Sequence, residues 1–190
     1  MAAVFHLLHE GYAEGERVGS SVSLVVDSEA VIVVDPGMVA DRSLILDPLA
    51  AYGRAPGDVT HVVLTHHHPD HALNAALFPR VEVVDFWARY RGDRWLDHDG
   101  DGHAIGPFTR IILTPGHTAQ DLTLLAETDS GVVAFTHCWW RADRSPLEDP
   151  LAEDPGALQA SRARVLAAAD VVVPGHGAPF STGRATPGVG

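Results

Sequence analysis

The sequence lacks the means to form disulfides, and it lacks a long apolar run. Its only cysteine is Cys138, which excludes an internal disulfide. No apolar stretch approaches the roughly 20 residues that a helix needs to cross a bilayer. Residues 1–6 contain neither a basic segment nor an extended apolar one, so no signal peptide is predicted. These absences favour a cytoplasmic protein with no membrane partner.

Positive charge is also scarce. Thirteen Lys and Arg residues stand against 25 Asp and Glu residues, which gives a formal net charge of −12. An acidic surface repels phosphate backbones, so binding of nucleic acid without sequence preference is disfavoured. The charge therefore favours a small-molecule substrate as the binding partner. Association into a homodimer remains an alternative that the sequence leaves undecided.

The length and composition indicate one domain with a substantial core. The chain has 190 residues, of which 46% are apolar and 20% charged. We predict a single domain over residues 1–180. Residues 181–190 are rich in Gly, Pro and Thr, and we predict a disordered tail there.

The hydrophobic pattern predicts an α+β fold. Strands come first, then strands alternate with helices, which suits two packed sheets with helices on their outer faces. The strand predictions are 21–26, 31–35, 61–64, 81–84, 109–113, 122–126, 132–135 and 171–173. The helix predictions are 41–52 and 155–169 with a short turn at 72–77, and residues 86–104 are interpreted as a long connection.

Twelve histidines are present, and one dense group of them points to a metal. His66, His68, Asp70 and His71 lie in a loop directly after a buried strand, in the order H-x-H-x-D-H. Imidazoles and a carboxylate are ligands that Zn²⁺ prefers, and several of them would be costly to bury without a cation. The loop therefore predicts a zinc-type site, with Mn²⁺ or Fe²⁺ as alternatives.

Two further histidines follow strands later in the chain. His117 lies in Pro-Gly-His-Thr and His176 in Pro-Gly-His-Gly. A glycine beside each lets the backbone pass close to a crowded centre. We expect both to complete the metal shell. Six other histidines show no pattern and are interpreted as surface or packing residues; they are His6, His9, His61, His67, His98 and His103.

The combination of H-x-H-x-D-H, G-H-T and P-G-H-G resembles the metallo-β-lactamase superfamily over residues 18–180. The resemblance implies a four-layer αβ/βα sandwich with one or two Zn²⁺ ions at an edge between the sheets. It implies His66, His68 and His117 as ligands of one ion. It implies Asp70, His71 and His176 as ligands of the second, with Asp70 also orienting the catalytic water. Asp35, at an earlier strand end, matches an aspartate that supports the ligands; a turn-capping Asp is the alternative.

The sequence departs from the superfamily pattern at Thr136-His137. Most hydrolases of the superfamily carry Gly-Asp there, and that Asp bridges both metals. A neutral imidazole offers one lone pair to one metal. Three outcomes are open: His137 binds one metal, it donates a hydrogen bond instead, or the second site is weak or empty. Cys138 beside it could bind a soft metal, or it could simply be packed.

The C-terminal stretch from Glu153 to Phe180 resembles the small single-domain proteins typified by metallo-β-lactamase-domain-containing protein 1, whose animal members are linked to RNA cleavage. Three functional hypotheses follow. The first is a hydrolase that uses metal-activated water on an ester, thioester or lactone. The second is a metal-dependent nuclease or phosphodiesterase, which predicts arginines in the metal cleft; the candidates are Arg89, Arg91, Arg94 and Arg144. The third is a degenerate metal-binding domain without activity.

Overall fold

The computed structural model describes residues 1–142, 149–183 and 186, and it contains two mixed β-sheets. The first sheet has seven strands in the order β1-β4-β5-β6-β7-β8-β9. Their bounds are β1 Val4–His9, β4 Val22–Asp27, β5 Ala30–Val34, β6 His61–Val63, β7 Glu82–Val84, β8 Arg89–Arg91 and β9 Arg94–Leu96. The pairs β5/β6 and β6/β7 are parallel, and the other pairs are antiparallel.

The second sheet has six strands in chain order, from β10 to β15. Their bounds are β10 Ala104–Gly106, β11 Thr109–Leu113, β12 Leu122–Thr128, β13 Gly131–Phe135, β14 Val171–Val173 and β15 Phe180–Ser181. Only β13/β14 is parallel among the pairs of this sheet in the described residues. A separate hairpin is formed by β2 Tyr12–Glu14 and β3 Arg17–Gly19.

Three α-helices accompany the sheets in the described part of the chain. They are α1 Ser43–Ala51, α2 Pro69–Ala72 and α3 Pro155–Ala168, with 3₁₀ turns at Pro56–Asp58 and Ala75–Leu77. Asp154 caps α3, because its side chain accepts a hydrogen bond from the Ala157 N–H at 2.9 Å. Pro155 then takes the first helical position, where its missing N–H costs nothing.

The fold has four layers, which are α1, the seven-stranded sheet, the six-stranded sheet and α3, and an apolar cluster lies between each layer and the next. One cluster lies between the sheets and includes Ile32, Leu124 and Phe135. A second joins α1 to the outer face of the seven-stranded sheet. The third joins α3 to the outer face of the six-stranded sheet. Strand β5 is buried along its whole length, as its unbroken apolar run predicts. The predicted α+β sandwich, with two mixed sheets and helices on the outer faces, is confirmed.

The prediction of a long connection over 86–104 is wrong in part, since β8 and β9 form a hairpin there. Tyr90 and Trp95 pair across it with ring centroids 4.9 Å apart, and Glu82 of β7 holds Arg89 at 3.1 Å. Strands this short are stabilised by such cross-strand contacts, and their sequences show no regular pattern of apolar residues. Strands β1, β2, β3 and β10 were likewise not predicted.

Two residues of the predicted tail make ordered contacts in the structure. Ser181 belongs to β15, and the Thr182 hydroxyl donates to the Ala169 carbonyl at 2.8 Å. Residues 184, 185 and 187–190 of the predicted tail lie outside the described residues, so for them the prediction stands as made. Within the described ranges, no helix is long and apolar enough to cross a membrane.

Candidate metal centre

The residues expected to bind metal follow strand ends at one edge of the sandwich. Asp35 follows β5, and the loop 66–71 follows β6. In the other sheet, His117, His137 and His176 follow β11, β13 and β14. Because β5/β6 and β13/β14 are parallel pairs, each pair ends at the same edge of its sheet. The two sheets therefore bring residues far apart in sequence to one place.

Helix α2 gives the histidine loop its shape. It begins at Pro69, and the Ala72 N–H donates to the His68 carbonyl at 3.2 Å. A Cβ atom at Gly37 would overlap the carbonyl of Asp70, so only glycine allows the 36–37 turn to pack against this helix.

Asp35 is buried and adopts a left-handed backbone conformation with φ of 50°. Its Oδ1 accepts the Thr65 N–H at 2.7 Å, and its Oδ2 accepts the Thr65 hydroxyl at 2.7 Å. The same Oδ2 lies 2.8 Å from His71 Nδ1. The strained conformation thus aims one carboxylate at both the histidine loop and one of its imidazoles. This is the contact that a ligand-supporting aspartate requires.

The tautomers of four imidazoles follow from their partners, because carboxylate and carbonyl oxygens only accept hydrogen bonds. His71 Nδ1 donates to Asp35, and His176 Nδ1 donates to the Gly19 carbonyl at 3.0 Å. His117 Nδ1 lies 2.7 Å from Asp149 Oδ2 and donates to it.

For the fourth imidazole, the acceptor is a hydroxyl. His66 Nδ1 lies 3.2 Å from the Thr65 Oγ1, whose own hydrogen goes to Asp35, so His66 is the donor. All four rings therefore carry hydrogen on Nδ1 and a lone pair on Nε2.

These lone pairs fit a bound cation. The Nε2 atoms of His66 and His71 are buried and have no hydrogen-bond partner within the described residues. Buried polar atoms are seldom left unpaired in proteins, and a metal ion is the partner that neutral imidazole nitrogens suit best. The donor set found here therefore fits a zinc-type ion.

The surroundings also keep three imidazoles of this centre uncharged. Burial, followed by repulsion from neighbouring imidazoles, holds the pKa of His66 and of His137 well below the usual value. Burial lowers the pKa of His176 to about 4. His66, His137 and His176 are therefore neutral at pH 7, which is the form that binds metal ions.

The structure brings the predicted residues together in two groups. In one group His117 Nε2 lies 3.3 Å from His68 Nδ1, and the His66 ring is centred 4.6 Å from that of His68. In the other, Asp70 Oδ2 lies 3.5 Å from His71 Nε2 and 3.6 Å from His176 Nε2.

His137 lies between the two groups. Its ring is centred 4.2 Å from the ring of His117 and 4.8 Å from that of His71. Nitrogen atoms of His66, His117 and His137 lie within 4.8 Å of one another, and so do those of His71, His137 and His176. The imidazole thus occupies the place where a shared ligand would lie.

A cavity of about 340 Å³ opens over the centre. Its walls come from the metal-binding loops, the β2–β3 hairpin and the segment around Trp140. Its lining residues are Ala13, Glu14, Gly15, Arg17, Val18, His68, Asp70, His117, His137, Trp140, Leu151 and His176. The hairpin and Trp140 were not predicted to contribute.

Asp149 is the functional candidate that the sequence did not reveal. Its Oδ2 accepts from His117 Nδ1 and, at 3.0 Å, from Trp140 Nε1, while its Oδ1 accepts the Leu151 N–H at 2.9 Å. Asp149 follows no predicted strand and belongs to no motif, so only the folded chain shows that it holds His117.

The arginines proposed for a nuclease cleft lie elsewhere. Arg89 and Arg91 pair with Glu82 at 3.1 and 2.8 Å, and neither they nor Arg94 line the cavity. Arg144 lies outside the described residues. Of the described residues that line the cavity, Arg17 is the cationic one.

Cys138 does not join the metal groups of the described residues. It packs in the apolar cluster against α3, and burial raises the pKa of its thiol to about 11. The six histidines interpreted as surface or packing residues also stand apart from both metal groups of the described residues.

Known proteins are similar to this chain in sequence. The Metallo-beta-lactamase superfamily sequence model matches residues 15–90. Metallo-beta-lactamase domain-containing protein 1 of Xenopus laevis is 35% identical over 92% of this chain and 80% of its own length. The chain belongs to the metallo-beta-lactamase superfamily. The human protein of the same name is 41% identical over 85% of this chain and 64% of its own length.

Solved structures of the superfamily show the same fold. A putative metallo-beta-lactamase from Thermotoga maritima superposes with a TM-score of 0.73 at 18% identity, over 95% of this chain and all of that one. An N-acyl homoserine lactone hydrolase superposes with a TM-score of 0.65 at 16% identity, over 92% of each chain. As a member of this superfamily, the chain is a metallohydrolase.

Proposed function

We propose that this metallohydrolase cleaves acyl compounds, namely an ester, a thioester or a lactone. It binds one or two Zn²⁺ ions. His66, His68 and His117 hold one ion, and Asp70, His71 and His176 hold the other. The observation that carries the proposal is the set of four imidazoles whose Nδ1 atoms are held by acceptors and whose Nε2 lone pairs are left for a cation.

The cavity favours an acyl group over a phosphodiester. Ala13, Val18, Trp140 and Leu151 supply apolar surface, and Arg17 is the cation among the described lining residues. A polynucleotide would need several cations along its backbone. The net charge of −12 acts against such a substrate as well.

Two relatives support the acyl class. A hydroxyacylglutathione hydrolase of Stenotrophomonas maltophilia is 33% identical over 52% of this chain and 39% of its own length. An N-acyl homoserine lactonase of Bacillus cereus is 25% identical over 52% of this chain and 45% of its own length. Both names describe acyl compounds, and we infer the same class of substrate here.

The chain's own residues would divide the work as follows. Divalent ions at such a centre make water acidic enough to attack at neutral pH and polarise the carbonyl oxygen. Asp35, Thr65 and Asp149 orient the imidazoles and fix their tautomers. The Asp70 carboxylate lines the cavity and can accept a hydrogen bond from the attacking water. Trp140 and Leu151 line the cavity and would contact the acyl group.

The test offers a panel of substrates to protein of defined metal content. Protein purified without metal-affinity resin is stripped with a chelator and reloaded with Zn²⁺, Mn²⁺ or Fe²⁺. Thioesters, lactones, aryl esters and phosphodiesters are then offered in parallel. We expect acyl turnover that the chelator abolishes and metal restores. His66→Gln should lose it, whereas His103→Gln, which alters a histidine outside both metal groups, should keep it.

Three results would contradict the proposal. Turnover of phosphodiesters alone would favour the nuclease hypothesis. If the fully metal-loaded protein turns over none of the substrates, the hypothesis of a degenerate metal-binding domain is favoured. Turnover that survives complete metal removal would show that the histidine cluster is not the catalytic centre.

A further inference from the structure

His137 holds a position that the six proposed ligands do not explain. It is fully enclosed, and its Nε2 lies 3.1 Å from His176 Nε2. His176 carries its hydrogen on Nδ1, which donates to the Gly19 carbonyl, so a lone pair of His176 points at His137. The contact between the two Nε2 atoms therefore needs either a hydrogen or a cation.

A hydrogen on His137 Nε2 would block the metal group that His176 belongs to. It would occupy the His176 lone pair, although the Asp70 carboxylate lies 3.6 Å from that same nitrogen, as for a shared cation. A cation facing both Nε2 atoms removes the conflict, because each nitrogen then contributes its lone pair. His71 Nε2, which is buried and has no hydrogen-bond partner in the described residues, completes the same group.

The surrounding backbone holds the ring of His137 in this position. The Thr136 N–H donates to the Val173 carbonyl at 3.1 Å, directly before His137. A Cβ atom at Gly175 would overlap His137 Cδ2, so the glycine of the Pro-Gly-His-Gly motif makes room for this ring. An aspartate at 137 would not need that space, since its side chain is shorter.

We propose that His137 is a metal ligand through Nε2 and joins Asp70, His71 and His176 in holding one ion. This inference rests on the proposed metal centre and deepens it. The ion then has four protein ligands, which is the arrangement of closed sites. The group of His66, His68 and His117 keeps three, which leaves a position open for water or substrate. Replacement of the usual aspartate thus makes the two sites unequal.

The proposal predicts a specific spectroscopic signature in the cobalt-loaded protein. A ligand bound through Nε2 carries its ring hydrogen on Nδ1, and Co²⁺ shifts the proton resonance of such an N–H far outside the normal range. Because His137 Nδ1 is buried, its hydrogen exchanges slowly enough to be observed. The first equivalent of Co²⁺ should show three such signals, from His71, His137 and His176.

The variants isolate the signal of His137. His137→Ala should lose one shifted N–H resonance and weaken binding of that ion more than about tenfold. His137→Asp, which restores an oxygen ligand, should lose the same resonance and still bind two ions. His103→Gln should keep every resonance. Circular dichroism and thermal unfolding of the metal-free proteins check that each variant is folded.

Each outcome decides between defined alternatives. Loss of no resonance with unchanged affinity in His137→Ala would show that His137 is not a ligand. If His137→Ala keeps every resonance but binds the ion more weakly, His137 supports the site without binding the ion through Nε2, which also contradicts the proposal. Failure of the wild-type chain to bind any Co²⁺ or Zn²⁺ would instead overturn the proposed function.

Discussion

Substitution of Asp149 tests whether a residue outside every motif controls one of the two metal sites. The side chains of Asp149 and His117 are 1% and 2% exposed, so water cannot replace their hydrogen bond. Asp149→Ala also removes the acceptor of the Trp140 indole. Each buried donor left without a partner costs about 1–3 kcal/mol. Since Trp140 is only partly buried, we expect a loss of roughly 2–4 kcal/mol in the free energy of unfolding.

The same substitution should weaken one metal site and leave the other intact. Without Asp149, His117 is free to turn and to change tautomer. Loss of such a supporting partner typically lowers metal affinity about 10–100-fold. The loss should affect the ion proposed to bind at His66, His68 and His117 but not the ion proposed to bind at His71.

Asp149→Asn provides the graded comparison. Its amide oxygen can still accept from His117 and Trp140, but its NH₂ group then faces the Leu151 N–H. We therefore expect roughly half of the loss seen with alanine. Asp129→Ala, at an exposed turn, is the matched control and should be neutral.

The assays are urea unfolding of metal-free protein and competition with a chromogenic chelator for each ion.

Burial acts to raise the pKa of Asp149, but hydrogen bonds, chiefly from His117, outweigh it, and the pKa lies below the ordinary value. The stabilisation is therefore present above pH of about 4 and lost below it. Unfolding curves of wild type and Asp149→Ala should converge in acid. Equal weakening of both metal sites, or none, would refute the reasoning.

Three further predictions follow from buried groups. Gly175→Ala should displace His137 and lower stability by about 1–3 kcal/mol, as read from urea unfolding; Gly183→Ala, where a Cβ meets nothing within 4 Å, should not. Cys138 should react with a thiol reagent at pH 8 at least about 100-fold more slowly in the folded than in the unfolded chain, since burial raises its pKa to about 11; equal rates would contradict its burial. Burial raises the pKa of Asp121 to about 6, so the ¹³C NMR signal of its carboxyl group should titrate at that pH. The contribution of Asp121 to the free energy of unfolding should fall as the pH rises from about 4 to about 6. Asp121→Asn should lack this pH dependence.

Local sequence patterns were sufficient for elements with a continuous apolar run or a clear capping signal. Strand β14 was predicted with the bounds that the structure shows, and α3 was predicted from its Asp-Pro start. The hairpin of β8 and β9 was missed because its strands, with the sequences RYR and RWL, carry arginines and no apolar run. Their stability comes from pairing with β7, which is a contact between distant segments that no local period reports.

The sequence by itself determined the prediction of the metal-binding side chains, because H-x-H-x-D-H and two Gly-His pairs follow strands, and strand ends of one sheet meet at an edge. Only the tertiary structure decided which acceptors hold those side chains and which residue lies between the two groups. The acceptor for His117 comes from Asp149, 32 residues away, and the acceptor for His176 is the Gly19 carbonyl, 157 residues away. The place of His137 between both groups depends equally on the packing of two sheets. Such contacts join segments whose separation along the chain carries no signal, so folding alone establishes them.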